Sequence, residues 1–161
     1  MQLISNELNA ALCEQLVHEK YNANLYLFYA GFFKNKGFNN IGEFFKHQHE
    51  EETGHSLIIF DLLTDLNSPV MIEEVNAVNA PTDSIFSIAN AYLEREFVTT
   101  TSLHEIKKMA IEDENPVVEE RMREMIKLQQ NEYSEASDFV DKAQLTGGDW
   151  KWVMMWDLSL K

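Results

Sequence analysis

The chain has few of the residues on which disulfide frameworks, cysteine-based metal sites and nucleic-acid interfaces depend. Its 161 residues include one cysteine, Cys13, which excludes an intrachain disulfide and any zinc or iron–sulfur site built from several cysteines. Lysine and arginine are scarce, at 13 against 27 acidic residues. The formal net charge of −14 argues against nucleic acids and anionic membrane surfaces as partners, and it favours cations.

Segments typical of membrane insertion or secretion are missing as well. No apolar run is long enough and free enough of charge to span a membrane. Residues 1–12 show no basic region followed by an apolar block, the pattern of a secretory signal. Together with the single cysteine, these absences predict a cytoplasmic location.

Proline occurs only at positions 69, 81 and 116, between segments that have a helical period. No strand pattern appears, and the polar caps and breaks predict five helices. The expected helices run over about 5–33, about 41–66, from a cap at Thr82 or Asp83 to about 112, from the Asn115 cap to about 143, and from Asp149 to about 158.

The stretch 67–81 is unusually long for a connection without a helical period. A crossover along a bundle explains its length, with Val70, Met71 and Ile72 packing on the helices that it passes. The predicted fold is therefore all-α: a four-helix bundle with one long crossover between helices 2 and 3, plus a short C-terminal fifth helix.

The C-terminal half of the first helix is apolar on nearly every side, from Leu25 to Phe33. One bundle core covers only part of such a surface, so we expect a second buried face, either a subunit interface or a loop of the same chain.

Each of the four long helices carries one apolar stripe, with spacings that alternate between three and four residues. Near its middle, each stripe is interrupted by side chains that bind metals: Glu19, Glu52 and His55, Glu96, and Gln129 and Glu132. An unpaired carboxylate buried in a bundle core costs several kcal/mol. Four such carboxylates at one depth predict a shared pair of metal ions.

The donor set indicates which metals are expected. Glu52 and His55 are three residues apart, so both side chains face the same way on one helix. Such a pair alone is weak evidence of a metal site, because a lone histidine on an apolar face is more often a hydrogen-bonded core residue. Oxygen-rich ligands with one nitrogen and no thiolate suit iron or manganese, with zinc as a competitor. Two irons held close together reduce dioxygen jointly, each giving one electron.

Tyr26 lies seven residues after Glu19, on the same helical face. It is equally well interpreted as a residue that hydrogen-bonds a ligand or donates an electron, and as a core aromatic whose hydroxyl is satisfied.

In these segments the chain resembles the ferritins, specifically the non-haem bacterial type. The matching features are Glu19 with Tyr26, the run His-Glu-Glu-Glu-Thr-Gly-His at 49–55, Glu96, and Gln129 with Glu132. The resemblance implies a single ferritin-like domain over 1–161, with the bundle over about 5–143 and the fifth helix over about 149–158. It also implies ferroxidase activity, in which Fe(II) is oxidised by O2 and ferric mineral is stored in a cage of 24 subunits.

The same resemblance implies roles for the site residues. Glu19, Glu52 and His55 would hold the first iron of each subunit, and Glu52 would bridge to a second iron held by Glu96 and Glu132. Gln129 would lie behind these ligands or help to position oxygen. The fifth helix would line a four-fold axis, the alternative being that it docks against its own bundle.

Two departures from relatives in the family matter. Glu51 is a further candidate ligand, for a third iron, but Leu128 and Asn131 stand where further carboxylates are expected, so that site should be weak or missing. Thr53 and the Gln129-x-x-Glu132 pair replace the residues of haem-binding relatives, so no haem is expected.

Three rival functions remain open at this point. A non-catalytic cage subunit would have lost some of the ligands, and a di-iron peroxidase or oxygenase of the same bundle class would need a substrate cavity or an electron-transfer domain. A purely structural helical assembly would leave four buried carboxylates unpaired.

Overall fold

The computed structural model describes Met1 and residues 3–160, and every regular element in that part of the chain is a helix. The elements are α1 (Asn6–Asn35), α2 (Asn39–Asp65), α3 (Ile85–Glu112), α4 (Pro116–Leu145) and α5 (Trp150–Ser159). The predicted fold is confirmed: four long helices form a bundle, a long connection joins α2 to α3, and α5 follows as a short fifth helix. Most boundaries lie within one or two residues of the prediction.

Three of the predicted helix starts carry the expected polar cap. The Ser5 hydroxyl accepts from the backbone N–H of Leu8 at 3.1 Å, and Asn115 Oδ1 accepts from the N–H of Val118 at 3.1 Å. The carboxylate of Asp149 accepts from the backbone N–H at position 151, at 2.9 Å. These bonds satisfy amides that have no partner inside the helix.

The cap expected at Thr82 or Asp83 is wrong, because the structure places it at Ser84. The backbone of Ser84 is extended (φ −149°, ψ 158°), and its hydroxyl accepts from the N–H of Ser87 at 3.0 Å. Asp83 instead accepts from the Ser87 hydroxyl at 2.9 Å. Three adjacent polar residues are chemically acceptable caps, and the backbone path decides among them.

The start of α2 has a cap that comes from elsewhere in the chain. Its own N-cap residue, Phe38, offers no side-chain acceptor, and the buried Asp157 of α5 accepts from the N–H of Ile41 at 2.7 Å. Asn40 Nδ2 also donates to the backbone carbonyl of Asp157, at 2.9 Å. α5 therefore docks on its own bundle through one face, while Trp152 and other apolar side chains on its outer face stay exposed.

The crossover is attached to α1 near its beginning. Cys13 is buried, and its sulfur lies 3.5 Å from the carbonyl of Pro69 and 3.4 Å from the backbone nitrogen of Met71. Val70 packs against the core, as expected, whereas the side chains of Met71 and Ile72 are exposed. The expectation that all three side chains pack on the bundle therefore holds for Val70 only, because about half of the surface of Met71 and of Ile72 is exposed.

The core consists of two apolar clusters, one on each side of the polar residues at the helix centres. The aromatic cluster contains seven buried rings: Tyr26, Tyr29, Phe33, Phe38, Phe45, Tyr92 and Phe139. The aliphatic cluster is built mainly from these residues: Leu8, Leu12, Leu16, Ile59, Leu62, Leu63, Leu103 and Ile106. On every long helix the candidate ligands fall between a segment of one cluster and a segment of the other.

Part of the apolar surface of α1 is left uncovered within the subunit. Leu27 and Phe28 are exposed, so no loop of the described chain covers them, and Leu57 and Phe60 of α2 are exposed as well. A subunit interface over this surface stays a prediction. Among the described helices, none combines the length and the apolar character needed to cross a membrane.

Candidate metal centre

Each long helix delivers at least one candidate ligand to the layer between the two clusters. The side chains of this layer are almost completely withdrawn from solvent, with exposed fractions of 0% for Glu19, Glu52 and Glu96, 6% for Glu132 and 9% for His55. The carboxylates meet there because each occupies a stripe position that faces the bundle axis.

The ligand atoms form two overlapping groups. In the first, one atom each of Glu19, Glu52 and His55 lies within 4.8 Å of the other two. In the second, Glu52, Glu96 and Glu132 meet the same limit. Glu52 belongs to both groups, which is the arrangement that a carboxylate bridging two metal ions requires.

Several carboxylate oxygens in this layer have no hydrogen-bond partner. Glu19 Oε2, Glu52 Oε1 and Glu132 Oε2 are buried without a hydrogen bond from any described residue, although buried polar atoms are almost always satisfied in folded proteins. Among the described residues, the only basic group that forms an ion pair with these carboxylates is His55, whose Nε2 lies 3.2 Å from Glu132 Oε1 and whose Nδ1 lies 3.8 Å from Glu52 Oε1. Unpaired carboxylate oxygens around one imidazole fit divalent iron, manganese or zinc.

Burial and mutual repulsion make these carboxylic acids weak. Burial raises the pKa of Glu52 well above its ordinary value, and the charge of Glu19 adds to the shift. Burial, followed by the charge of Glu96, raises the pKa of Glu132 to about 9. The pKa of Glu96 rises to about 7, mainly through burial. Without metal, the layer therefore holds protons near neutral pH, and a divalent cation has to displace them.

Two neighbours orient Glu96. The hydroxyl of Tyr26 donates to Glu96 Oε1, and Gln129 Nε2 donates to Glu96 Oε2 at 2.6 Å. Both bonds stabilise the ionised carboxylate and lower the pKa of Glu96 against the effect of burial. Burial in turn raises the pKa of Tyr26, which therefore stays a phenol. Tyr26 is therefore both a hydrogen-bond donor to a candidate ligand and a core aromatic whose hydroxyl is satisfied, so these two interpretations are compatible.

Glu51 lies outside the two ligand groups. Its side chain is 35% exposed and pairs with His47 Nε2 at 3.4 Å, although its Oε2 is buried without a partner. Leu128 and Asn131 of α4 are exposed and supply no carboxylate. The weak or missing third iron site remains a prediction.

The structure adds polar residues that the sequence analysis did not single out. Gln15 Nε2 donates to Glu19 Oε1 at 2.8 Å, and the buried Asn22 lies against Glu52. Both residues stand one helical turn from Glu19 on α1, four before it and three after it. That spacing was the available signal, because polar residues one turn from a buried ligand contact the same layer.

Comparison with known proteins agrees with this architecture. The family model of the ferritin-like domain matches residues 9–146. The chain belongs to the ferritin family. It is similar to a bacterial non-heme ferritin of Bacteroides fragilis strain 638R, with 22% identity over 145 residues that cover 90% of this chain and 91% of the relative. A bacterial non-heme ferritin of Staphylococcus epidermidis is 22% identical over 158 residues, or 98% of this chain and 95% of that protein.

Solved structures extend the similarity to three dimensions. An open-pore ferritin from the hyperthermophilic archaeon Archaeoglobus fulgidus superposes with a TM-score of 0.92 at 27% identity, covering 98% of this chain and 97% of that chain. A closed form of the same ferritin, engineered by mutagenesis, gives a TM-score of 0.90. Membership and fold together support iron storage and ferroxidase chemistry at the level of the family.

Proposed function

We propose that this ferritin oxidises Fe(II) with O2 at a di-iron site within each subunit and stores the ferric product as mineral inside a 24-subunit cage. The observation that supports the site is the pair of ligand groups that share Glu52. We further propose a single-domain, haem-free protein located in the cytoplasm.

The ligand groups suggest a division of roles. Glu19 and His55 would hold one iron, Glu96 and Glu132 the other, and Glu52 would lie between them. Four carboxylates balance the charge of two divalent ions, so iron binding would replace protons on Glu96 and Glu132 and end the repulsion among buried acids. Tyr26 and Gln129 would keep Glu96 in place.

Access is easiest from the side of α2 and α4. The side chains of His55 and Glu132 are 11% and 7% exposed, whereas that of Glu52 is fully buried. We therefore expect Fe(II) and O2 to reach the centre past His55 and Glu132. Two ferrous ions supply one electron each, which matches a two-electron reduction of O2.

The rival functions are less well supported. A non-catalytic cage subunit would lack ligands, and all six candidates (Glu19, Glu52, His55, Glu96, Gln129 and Glu132) occupy the central layer. A peroxidase supplied by rubredoxin-like cysteines would need more than the single Cys13 of this chain.

Adding Fe(II) to the metal-free protein under air tests the proposal. Ferric absorbance should rise in a first rapid phase that corresponds to about two irons per chain, and loading should continue far beyond that in a large particle. A small particle that takes up two irons and stops would exclude storage.

Replacing the shared ligand tests the site separately. Glu52→Ala should slow the rapid phase by about 100-fold or more while assembly persists, because loss of even a supporting partner of a metal ligand costs about 10- to 100-fold. Glu50→Ala is the matched control, since Glu50 is exposed on the same helix. Rapid oxidation in Glu52→Ala would show that the site is assigned wrongly.

A further inference from the structure

Arg95 places a positive charge beside the metal centre, and within the described part of the chain it forms no ion pair with an acidic side chain. It lies on α3, one residue before Glu96, and its guanidinium stands over the ring of Tyr21 at 4.8 Å. Among the described ion pairs none involves Arg95, although acidic side chains fill the adjacent layer. Its two side-chain hydrogen bonds go instead to neutral groups of α1, Asn22 and His18. Its charge opposes the effect of burial on the pKa of Glu96, but its hydrogen bonds give it a second role besides that of a counter-charge.

The first bond fixes the orientation of the buried Asn22 amide. Arg95 Nε lies 2.8 Å from Asn22 Oδ1. A guanidinium only donates, so the amide oxygen has to face Arg95 and the amide NH2 has to face away from it. The NH2 then faces Thr99 Oγ1 at 3.0 Å, the ring nitrogen His18 Nε2 at 3.2 Å and, at the longest distance of 3.5 Å, Glu52 Oε2. Arg95 thus directs an N–H towards the carboxylate that both ligand groups share.

The second bond fixes the tautomer of His18. Arg95 Nη2 lies 2.8 Å from His18 Nδ1, which must therefore be the acceptor. The ring proton is then on Nε2 and is donated to Thr99 Oγ1 at 2.6 Å. Thr99 completes the network by donating to the backbone carbonyl of Arg95 at 3.0 Å.

We propose that Arg95 is a positioning residue of the metal centre, which acts through Asn22 to hold Glu52 in the orientation that bridges two ions. This inference rests on the proposed di-iron function. The long Asn22–Glu52 contact leaves the carboxylate free to bind metal while restricting its rotation. The forked geometry of arginine is needed because one side chain has to orient two acceptors, Asn22 and His18.

A positioning role of Arg95 and a purely electrostatic role predict opposite effects of Arg95→Met on metal affinity. A positive charge near the centre repels incoming cations, so if charge alone mattered, Arg95→Met would bind metal more tightly. If Arg95 positions Glu52 through Asn22, the same variant binds metal more weakly, because the bridging carboxylate loses its support.

The experiment is an anaerobic titration of metal-free protein with Co(II), followed by visible absorption and by calorimetry. Wild type should bind two Co(II) per chain. We expect Arg95→Met and Asn22→Leu each to weaken binding about 10- to 100-fold and to change the absorption per bound cobalt, which a purely structural role would leave unaltered. The double variant should bind no more weakly than Asn22→Leu alone, because Arg95 acts through Asn22.

Lys108→Met is the matched control. It also removes one positive charge from α3, but Lys108 is exposed, and its one ion pair with a described residue is with Glu112, at 3.8 Å. This variant should titrate like wild type. If Lys108→Met weakened Co(II) binding as much as Arg95→Met does, the weakening would not be specific to the hydrogen bonds of Arg95 and the inference would fall.

Other outcomes separate the inference from the proposed function. Wild type that binds two Co(II), together with Arg95→Met that binds equally well or better, overturns the positioning role alone. Wild type that fails to bind two ions overturns the di-iron site itself. If Arg95→Met does not fold, Arg95→Lys replaces it, because lysine keeps the charge without the fork. Weaker binding by Arg95→Lys supports the inference, and unchanged binding contradicts it.

Discussion

The two ends of the bundle consist of closely packed apolar side chains, whereas its middle is a layer of buried carboxylates. At the ends, buried rings and aliphatic side chains pack against one another, and Phe45 alone contacts Tyr29, Tyr92 and Phe139 with ring centroids 5.2–5.4 Å apart. In the middle, buried carboxylates face one another, and several of their oxygens have no partner.

This difference separates what stabilises the fold from what the fold has to accommodate. Apolar burial at the ends contributes stability that depends on neither pH nor metal ions, whereas the central layer is destabilising unless protons or metal ions neutralise it. Functional sites often carry such local costs, which the rest of the structure offsets. Substitutions at the ends and in the middle should therefore respond differently to metal and to pH.

The largest effect on stability is expected at the aromatic end. Phe45→Ala removes a fully buried ring and should lower the free energy of unfolding of the metal-free protein by about 3–5 kcal/mol. Urea denaturation measures this loss. The loss should be the same in metal-free and Zn(II)-loaded protein. A loss that changes with Zn(II) would mean that the ends and the middle are coupled.

For a substitution in the middle of the bundle, metal should reverse the sign of the effect on stability. Glu132→Gln removes one of several mutually repelling acids, so at pH 8 it should stabilise the metal-free protein by about 1–3 kcal/mol. With saturating Zn(II) the same variant should be less stable than wild type, because a ligand is lost. Glu124→Gln, exposed on the same helix, is the control and should change stability by less than about 1 kcal/mol. Destabilisation of metal-free Glu132→Gln would contradict the comparison.

The pH dependence of the stability of the metal-free protein follows from the same buried carboxylic acids. The pKa values of Glu96, about 7, and Glu132, about 9, are raised in the folded state, so the folded protein binds more protons than the unfolded one above the ordinary carboxyl pKa of about 4.3. Their contribution to stability is fully present below about pH 4.3 and is lost as pH rises through 7 and 9.

Thermal melts of the metal-free protein at a series of pH values check this expectation. The melting temperature should fall between pH 7 and pH 9, and it should fall less in Glu132→Gln. Saturating Zn(II) should flatten the profile. A metal-free protein that becomes more stable over this range would contradict the assignment of buried, protonated acids.

The smallest effects should distinguish two tyrosines that are three residues apart. Tyr29 donates to the carbonyl of Pro81 at 3.2 Å, so Tyr29→Phe should cost about 0.5–1.5 kcal/mol with or without metal. Tyr26→Phe removes a donor to Glu96, so the pKa of Glu96 should rise and Co(II) uptake should shift to higher pH. Co(II) titrations at several pH values measure this shift, and an equal shift in Tyr29→Phe would show that it is not specific to the centre.

Most of the fold was predictable because each helix carries its own signals. The apolar period identifies the faces that meet, and local caps such as Ser5, Asn115 and Asp149 mark where helices begin. The candidate ligands were predictable for the same reason, since carboxylates in an apolar stripe contradict the local pattern and need a shared explanation. Their roles at a di-iron site remain a prediction.

What the sequence did not reveal depends on contacts between distant segments. Asp157 caps α2 from more than a hundred residues away, and nothing in its local sequence indicates this. Arg95 and Asn22 come from different helices, and their bond depends on how α1 and α3 face each other.

The sequence by itself thus determined the four interrupted stripes, the order of the helices and the chemical type of the central layer, because helical periodicity and side-chain chemistry are local properties. Only the tertiary structure decided that Glu52 belongs to both ligand groups and that Arg95 orients the amide beside it. The physical reason is that hydrogen bonds and ligand geometry are sensitive to differences of a few tenths of an ångström in the distances between side chains. Those distances are set only once the helices have packed.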